Sequence, residues 1–289
     1  MGAPAQAHQA AMSIVTVGGG RAAGGAPLLH ADDLAVLRGD GVFETLLVRD
    51  GTARLLDGHL LRLRRSAELM DLPAPNLNEW RSAVDTALSE WTEDGEATLR
   101  LIYSRGRENG AAPTAFVMVT PLPERVAVAR SEGVAVVTLD RGLPLRGTEM
   151  PWLLAGAKTL SYAVNMAALR YAARQGADDV IFLSSDDYVL EAPRATVVLV
   201  EPGRLITPPV THPILRGTTQ AALFEVARDA GYQCDYVPLR SADLSAAQDI
   251  WLVSSITLAA RVHTLDGRAL NAQVSDHEFA DLVDAAVAG

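Results

Sequence analysis

Pro121-Leu122-Pro123-Glu124-Arg125 is the stretch that most limits how this chain can fold. Two prolines one residue apart fix φ twice and remove two backbone donors, so neither a helix nor a central strand runs through them. They divide a chain of 289 residues, longer than a single core of ordinary size, into unequal parts. The expected organisation is two lobes sharing one crevice. Residues 1–12 read as a disordered extension, 13–122 as an N-terminal α+β lobe, 123–133 as the linker and 134–289 as the C-terminal lobe.

Each part mixes helix and strand. Residues 41–48 alternate as a strand, Arg49-Asp50-Gly51-Thr52 has hairpin chemistry, and Arg54-Leu55-Leu56 would be the return. Leucines at helical spacing predict an amphipathic helix over 59–70, ending before Pro73, and a second helix is expected over 77–91. Further strands are expected at 99–103, 115–119, 134–139, 180–183, 196–200 and 250–254, with helices at 160–175 and 219–230.

Composition narrows the function class. Apolar residues make up 49% of the chain, enough for a full core without disulfides or a structural metal. Cys234 is the single cysteine, which excludes an intrachain disulfide and paired-cysteine chemistry. A net charge of -10 with no lysine/arginine stripe argues against nucleic acid or acidic membrane as partners. No stretch approaches the ~18–20 apolar residues of a membrane span. The Ala/Gln/Gly-rich start carries neither a basic n-region nor an apolar h-region. A cytoplasmic protein acting on a small molecule, without a metal, is therefore expected. Gly18-Gly19-Gly20 lacks the strand–GxGxxG–helix setting and the following acidic residue of a dinucleotide site.

Of the 25 Lys and Arg residues, 24 are Arg, and the one lysine is Lys158. Arginine can replace lysine as a surface charge, but its guanidinium practically never deprotonates and cannot act as a neutral amine nucleophile. Chance survival on a solvated face is the plain alternative; the neighbourhood favours chemistry. Leu154-Ala155-Gly156-Ala157 precede Lys158 with small side chains that let a planar cofactor approach. A place near a helix start and partial burial would both lower the amine pKa. Downstream, Glu191 follows a strand and turn and is the candidate carboxylate to keep a cofactor's pyridine nitrogen protonated. Gly217-Thr218-Thr219 enters a helix with two hydroxyls and free N–H groups, a phosphate cup or, taken alone, equally a Thr cap. Ser255, in Ser254-Ser255-Ile256-Thr257, is placed to close the cup, and Arg62 to add a fixed positive charge.

As an ordered set, these residues resemble the class IV pyridoxal-phosphate enzymes of fold type IV, which include branched-chain and D-amino-acid aminotransferases and aminodeoxychorismate lyase. The resemblance runs from about Ala31 to Leu270 and is anchored on Arg38-Gly39-Asp40-Gly41-Val42-Phe43-Glu44-Thr45, His59-Leu60-Leu61-Arg62-Leu63, Lys158-Thr159-Leu160-Ser161-Tyr162, Glu191 and Gly217-Thr218-Thr219. It implies a smaller α/β lobe and a larger lobe with a pseudo-barrel sheet and helices. It also implies pyridoxal 5'-phosphate as cofactor and a homodimer. Lys158 would be the covalent anchor and proton shuttle, and Glu191 would pair with the pyridine nitrogen. Arg62, Gly217, Thr218, Thr219 and Ser255 would hold the phosphate, and Tyr162 would reach the cofactor's phenolic oxygen. The chain departs from its relatives where they carry Glu-Gly-Ser-Thr-Ser-Asn: here stands Glu191-Ala192-Pro193-Arg194-Ala195-Thr196, with an unexpected arginine.

Tyr103-Ser104-Arg105-Gly106-Arg107 is similar to the strand-to-loop segment that lyase relatives use near the substrate. Tyr103, Arg105 and Arg107 are the implied substrate residues, the two arginines suiting two carboxylates, with Thr45 beside Lys158 as a catalytic residue. The resemblance leans to aminodeoxychorismate lyase, with a D- or branched-chain aminotransferase as the main rival. A binding protein without turnover stands as the alternative of another class.

Overall fold

The computed structural model describes residues 11–19, 28–110, 112–247, 249–271 and 276–288. Residues 1–10 of the expected extension, and Gly20 of the triglycine, lie outside them.

The first part holds β1 (Ser13–Thr16), α1 (Leu34–Arg38), β2 (Gly41–Arg49), β3 (Thr52–Ala53), α2 (Leu56–Leu69), α3 (Leu77–Ser89), β4 (Ala97–Ser104) and β5 (Thr114–Pro121). Its strands form an antiparallel sheet in the order β1-β5-β4-β2-β3. Alternation along β2 sorts its side chains into two sets. Val42, Leu46 and Val48 face a core with Leu60 and Leu63 of α2 and Trp80 and Val84 of α3, and Glu44 is fully buried on that same side. The intervening Leu47 packs instead with Val198, Phe224, Trp251 and Phe279 of the second part. β2 is thus a wall shared by both lobes.

The second part holds α4 (Glu124–Glu132), β6 (Val134–Asp140), α5 (Ala163–Arg174), β7 (Asp179–Leu183), β8 (Thr196–Glu201), β9 (Arg204–Thr207) and α6 (Thr218–Asp229). It continues with β10 (Gln233–Tyr236), α7 (Ser241–Ala246), β11 (Ile250–Ser254), β12 (Leu258–Leu265), β13 (Arg268–Ala269) and α8 (Asp276–Ala288). Its mixed sheet runs β10-β9-β8-β11-β12-β6-β7, with β13 paired to β12. The β10/β9, β12/β6 and β6/β7 pairs are parallel. α6 and α8 bury Leu223, Phe224, Phe279 and Val283 on one face, and α5 lays Ala168 and Ala172 against Val180 and Phe182.

The connection expected over 123–133 holds a helix, α4. Pro121 ends β5 and Pro123 sits in extended conformation at the α4 N-cap, so the prolines mark the break but the chain restarts at once. Val126 is buried, and Arg130 donates to the Ile256 and Thr257 carbonyls while pairing with Glu96 at 2.6 Å. The connection is packed down and cannot act as a free spacer. No helix among the described residues is long and apolar enough to cross a membrane.

Candidate active site

Lys158 follows two short 3-10 turns, Leu145–Glu149 and Pro151–Leu153, and is pinned by the first lobe. Thr159 bridges Val42, the Phe43 N–H donates to the Lys158 carbonyl at 3.0 Å, and the Leu160 N–H donates to the Gly41 carbonyl at 2.8 Å. A Cβ on Gly41 would stand 2.7 Å from Leu160 Cδ1, so this approach needs glycine. The Lys158 N–H donates to Ser66 Oγ of α2 at 3.1 Å, and Nζ lies 4.6 Å from the centre of the Phe43 ring. Desolvation, and after it the Arg62 charge, lowers the ammonium to about 8, against the opposing pull of Glu44 and Glu191. α5 begins only at Ala163, so the expected placement at a helix start gives way to burial beside a guanidinium.

Around Lys158 lies a cavity of about 260 Å³ lined by Arg62, Tyr162, Glu191, Gly217, Thr218, Thr219 and Ser255, among others. Its hydroxyl end rests on a buried relay. Arg62 grips Glu44 with two donors at 2.7 Å each and donates to the Arg216 carbonyl at 2.8 Å. His59 Nδ1 stands 2.7 Å from the same carboxylate. Burial alone would raise the Glu44 carboxyl, but the Arg62 guanidinium and His59 hold it far below the usual carboxylate range. Burial pushes His59 down, which favours neutral imidazole. An ionised Glu44 only accepts, so Nδ1 carries the His59 proton and Nε2 is an acceptor. Thr218 Oγ1 at 3.1 Å and Ser255 Oγ at 3.2 Å both reach its single lone pair, which accepts from one of them and leaves the other's proton free, and Thr219 Oγ1 donates to Ser255 Oγ at 3.3 Å. Glu44 and His59 were not singled out as site residues from the sequence. The signal was there: a carboxylate in the aliphatic set of β2, and a histidine one helical turn before Arg62.

Glu191 stands at the other end, its Oε2 accepting from the Leu215 N–H at 3.0 Å. Desolvation lifts it to about 7, opposed by that N–H, Lys158, Arg141 and Arg62. Tyr162 lines the cavity edge-on to Phe43 at 5.5 Å, but its hydroxyl donates to the Pro193 carbonyl, which also accepts from Asn165 Nδ2 at 2.9 Å. Burial pushes the phenol up to about 12. Arg141, over the Phe182 ring at 4.9 Å, and Arg194 complete the wall.

Four expected residues are not brought to this cavity. Tyr103 is 5% exposed in the first-lobe core, edge-on to Trp80, and its hydroxyl donates to the Pro73 carbonyl. Alternation on β4 turns Tyr103 inward with Leu99 and Leu101. Arg105 is held by Asp40 at 2.7 Å and by the Met70 and Asp71 carbonyls, and Arg107 by Asp32 at 2.9 Å. Both arginines have anionic partners, and none of this trio lines the cavity around Lys158 of the same chain. Thr45 lies two residues beyond Phe43, roughly 7 Å along an extended strand, opposite Arg100 and outside the cavity lining.

The donor set fits pyridoxal phosphate: an amine for the carbonyl, a carboxylate for the pyridine nitrogen, and hydroxyls, Arg62 and the free N–H groups of α6 for the phosphate. A Cβ on Gly217 would stand 2.5 Å from Thr196 Oγ1, so the cup is narrowed to a bare backbone where an anion must approach.

The model of the class IV amino-transferase family matches residues 41–265. A bifunctional aminodeoxychorismate lyase / D-amino acid transaminase from Mycobacterium tuberculosis is 63% identical over 95% of this chain and 98% of its own length. A solved aminotransferase from the same organism, in its PLP-bound form, is 64% identical with a TM-score of 0.93, covering 96% of this chain and 99% of that one. A fold IV transaminase from Curtobacterium pusillum is 42% identical with a TM-score of 0.91, covering 96% and 97%. The chain belongs to the class IV aminotransferase family and is a pyridoxal-phosphate-dependent enzyme of fold type IV.

Proposed function

We propose that this enzyme converts 4-amino-4-deoxychorismate to 4-aminobenzoate and pyruvate, and that the same cavity supports transamination of D-amino acids. The observation that carries this reading is Lys158, the one lysine of the chain, set between a carboxylate end and a hydroxyl end of a single cavity. The likeness to the bifunctional mycobacterial protein supports both activities.

Pyridoxal phosphate, when bound, supplies the carbonyl that captures the substrate amine and the electron-poor ring that takes up the electron pair left by proton removal. Lys158 takes the proton from the carbon bearing that amine. Its Nζ, lowered to about 8, is partly neutral at physiological pH and, once protonated, gives the proton back more readily than an ordinary lysine. Glu191, held by the Leu215 N–H, provides the negative charge at the pyridine end. The Glu44–His59–Arg62 relay fixes the Thr218 and Ser255 side chains and a guanidinium at the phosphate end, where the hydroxyl not given to His59 and the guanidinium would donate to the phosphate and hold the ring while Lys158 moves protons beside it. Returning the proton at a second position, with one water supplying the keto oxygen, would release the keto acid of a transamination and leave the amino group with the cofactor. Breaking the enol ether C–O bond instead releases enolpyruvate, which takes a proton to become pyruvate, and the ring aromatises. We also propose that the enzyme works as a cytoplasmic homodimer.

A paired assay tests the proposal: aminodeoxychorismate to 4-aminobenzoate plus pyruvate, against amino-group transfer from D- and L-amino acids to 2-oxoglutarate. Formation of 4-aminobenzoate with transfer from D-amino acids is expected. Robust transfer without 4-aminobenzoate would refute the lyase half.

A further inference from the structure

Arg194 stands three residues after Glu191 and lines the cavity. Its side chain is 33% exposed, and its nearest carboxylate, Asp179 at the start of β7, lies 3.7 Å away, beyond hydrogen-bond distance. The backbone beside it is fixed, because the Pro193 carbonyl accepts from both Tyr162 and Asn165. Tyr162 in turn packs on Phe43, the ring beneath the Lys158 amine. Arg194 is therefore part of the wall reached from the reacting amine past Phe43 and Tyr162.

Its corner carries surplus positive charge. Arg125, in the first turn of α4, and Arg100, on the second-lobe side of β4, are near enough that burial and mutual repulsion depress Arg125, with Asp179 the one carboxylate opposing. Arg100 donates to Thr120 Oγ1 at 3.0 Å; neither it nor Arg125 has a carboxylate partner among the described residues. Asp179 is itself pushed up by burial despite Arg194 and Arg125, so it balances the corner poorly. An arginine with unspent donors in such a field is a ready receptor for an anion.

We propose that Arg194 receives the second carboxylate of dicarboxylate substrates, the one remote from the reacting carbon, with Arg125 strengthening its field. This rests on the reading of the cavity as a site for amine-bearing carboxylates. Unlike Arg105 and Arg107, Arg194 lines Lys158's own cavity.

The test uses calorimetric titration of the holoenzyme with two unreactive probes, glutarate and butyrate, which differ by the second carboxylate. Wild type is expected to bind glutarate about tenfold more tightly than butyrate, the worth of one charged hydrogen-bonded contact. Arg194→Gln should bring the ratio close to one while butyrate affinity and cofactor absorbance stay unchanged. Arg194→Lys, which keeps charge but loses the two-pronged fork, should narrow it by about threefold and serves as the deciding variant if Arg194→Gln does not fold. An unchanged ratio in the deciding variant, or equal affinities in wild type, would overturn the proposal. Absence of turnover with aminodeoxychorismate and with every amino acid would instead defeat the functional reading, and leaves the binding ratio readable on its own.

Discussion

The two charged ends of the cavity are built on opposite plans. At the hydroxyl end each charge has its partner: Arg62 grips Glu44 twice, His59 spends one ring nitrogen on Glu44 and the other on the Thr218 and Ser255 hydroxyls. At the Arg194 corner, Arg194, Arg125 and Arg100 gather around Asp179, whose neighbour Asp178 lies on the exposed side, and Arg194 stands 3.7 Å from Asp179. A paired, buried relay suits a group that is always the same, such as a cofactor phosphate. An underpaired corner suits an anion that arrives and leaves with each substrate. Substitutions at the first end should therefore harm all substrates alike through the cofactor, and those at the second should discriminate between substrates.

The largest effect is expected at the residue between the two ends. Lys158→Arg keeps the charge but removes the neutral amine, and turnover should fall by at least about a thousandfold with every substrate. Retained turnover in steady-state assays would break the comparison at its centre.

Next comes the relay. Glu44→Gln leaves Arg62 without its buried counter-charge, a loss of about 3 kcal/mol. Cofactor affinity, measured by fluorescence titration, should weaken by at least about tenfold, with kcat/KM falling in parallel for mono- and dicarboxylate substrates. A selective effect on dicarboxylates would contradict the division of labour.

Gly217→Ala sharpens the same end. Its Cβ would meet Thr196 Oγ1 at 2.5 Å, which should cost about 1–3 kcal/mol of stability or cofactor affinity. Gly217→Ala combined with Thr196→Ala should recover most of it in the same titration, because the clashing oxygen is gone.

A pH effect separates Glu191 from the relay. Glu191 is raised from 4.5 to about 7, so between those values the folded cofactor-free protein holds a proton that the unfolded chain has released. Stability from this group is full below about 4.5 and is lost as pH rises through about 7. Glu191→Gln should flatten that decline, by about 3 °C or more in Tm across the window. Equal slopes in wild type and variant would remove Glu191 from the account.

The smallest effect is expected at Arg107, already paired with Asp32 on the surface. Arg107→Ala should change KM for a dicarboxylate substrate by less than about twofold. A tenfold rise would return the substrate role to this loop and take it from Arg194.

Much of this arrangement was legible in the sequence. The helices begun at Leu56 and Thr218, and the strands at Gly41, Ala97 and Ile250, follow from periodicities of 3.6 and 2 that burial enforces. Lys158, Glu191, Arg62 and the hydroxyls of the cup were legible because their chemistry has few substitutes. The place of Tyr103 away from this cavity follows from strand phase, which a motif alone does not carry. In Leu99-Arg100-Leu101-Ile102-Tyr103, alternation sends Tyr103 to the core and Arg100 toward the second lobe. α4 went unread because Pro123 signals a break and also an acceptable helix start. Pairing of Glu44 with Arg62 depends on how α2 packs on β2, and crowding of Arg194 with Arg125 on how α4 lies beside the segment after Glu191. No local pattern carries that.

Lys158 affords the most direct test, because the chain's amines are this side chain and its N-terminus. Borohydride reduction of the holoenzyme, followed by peptide mass spectrometry, should place a phosphopyridoxyl group on the peptide containing Lys158. A label confined to the N-terminus, or no label on a protein that still turns over substrate, would contradict the account.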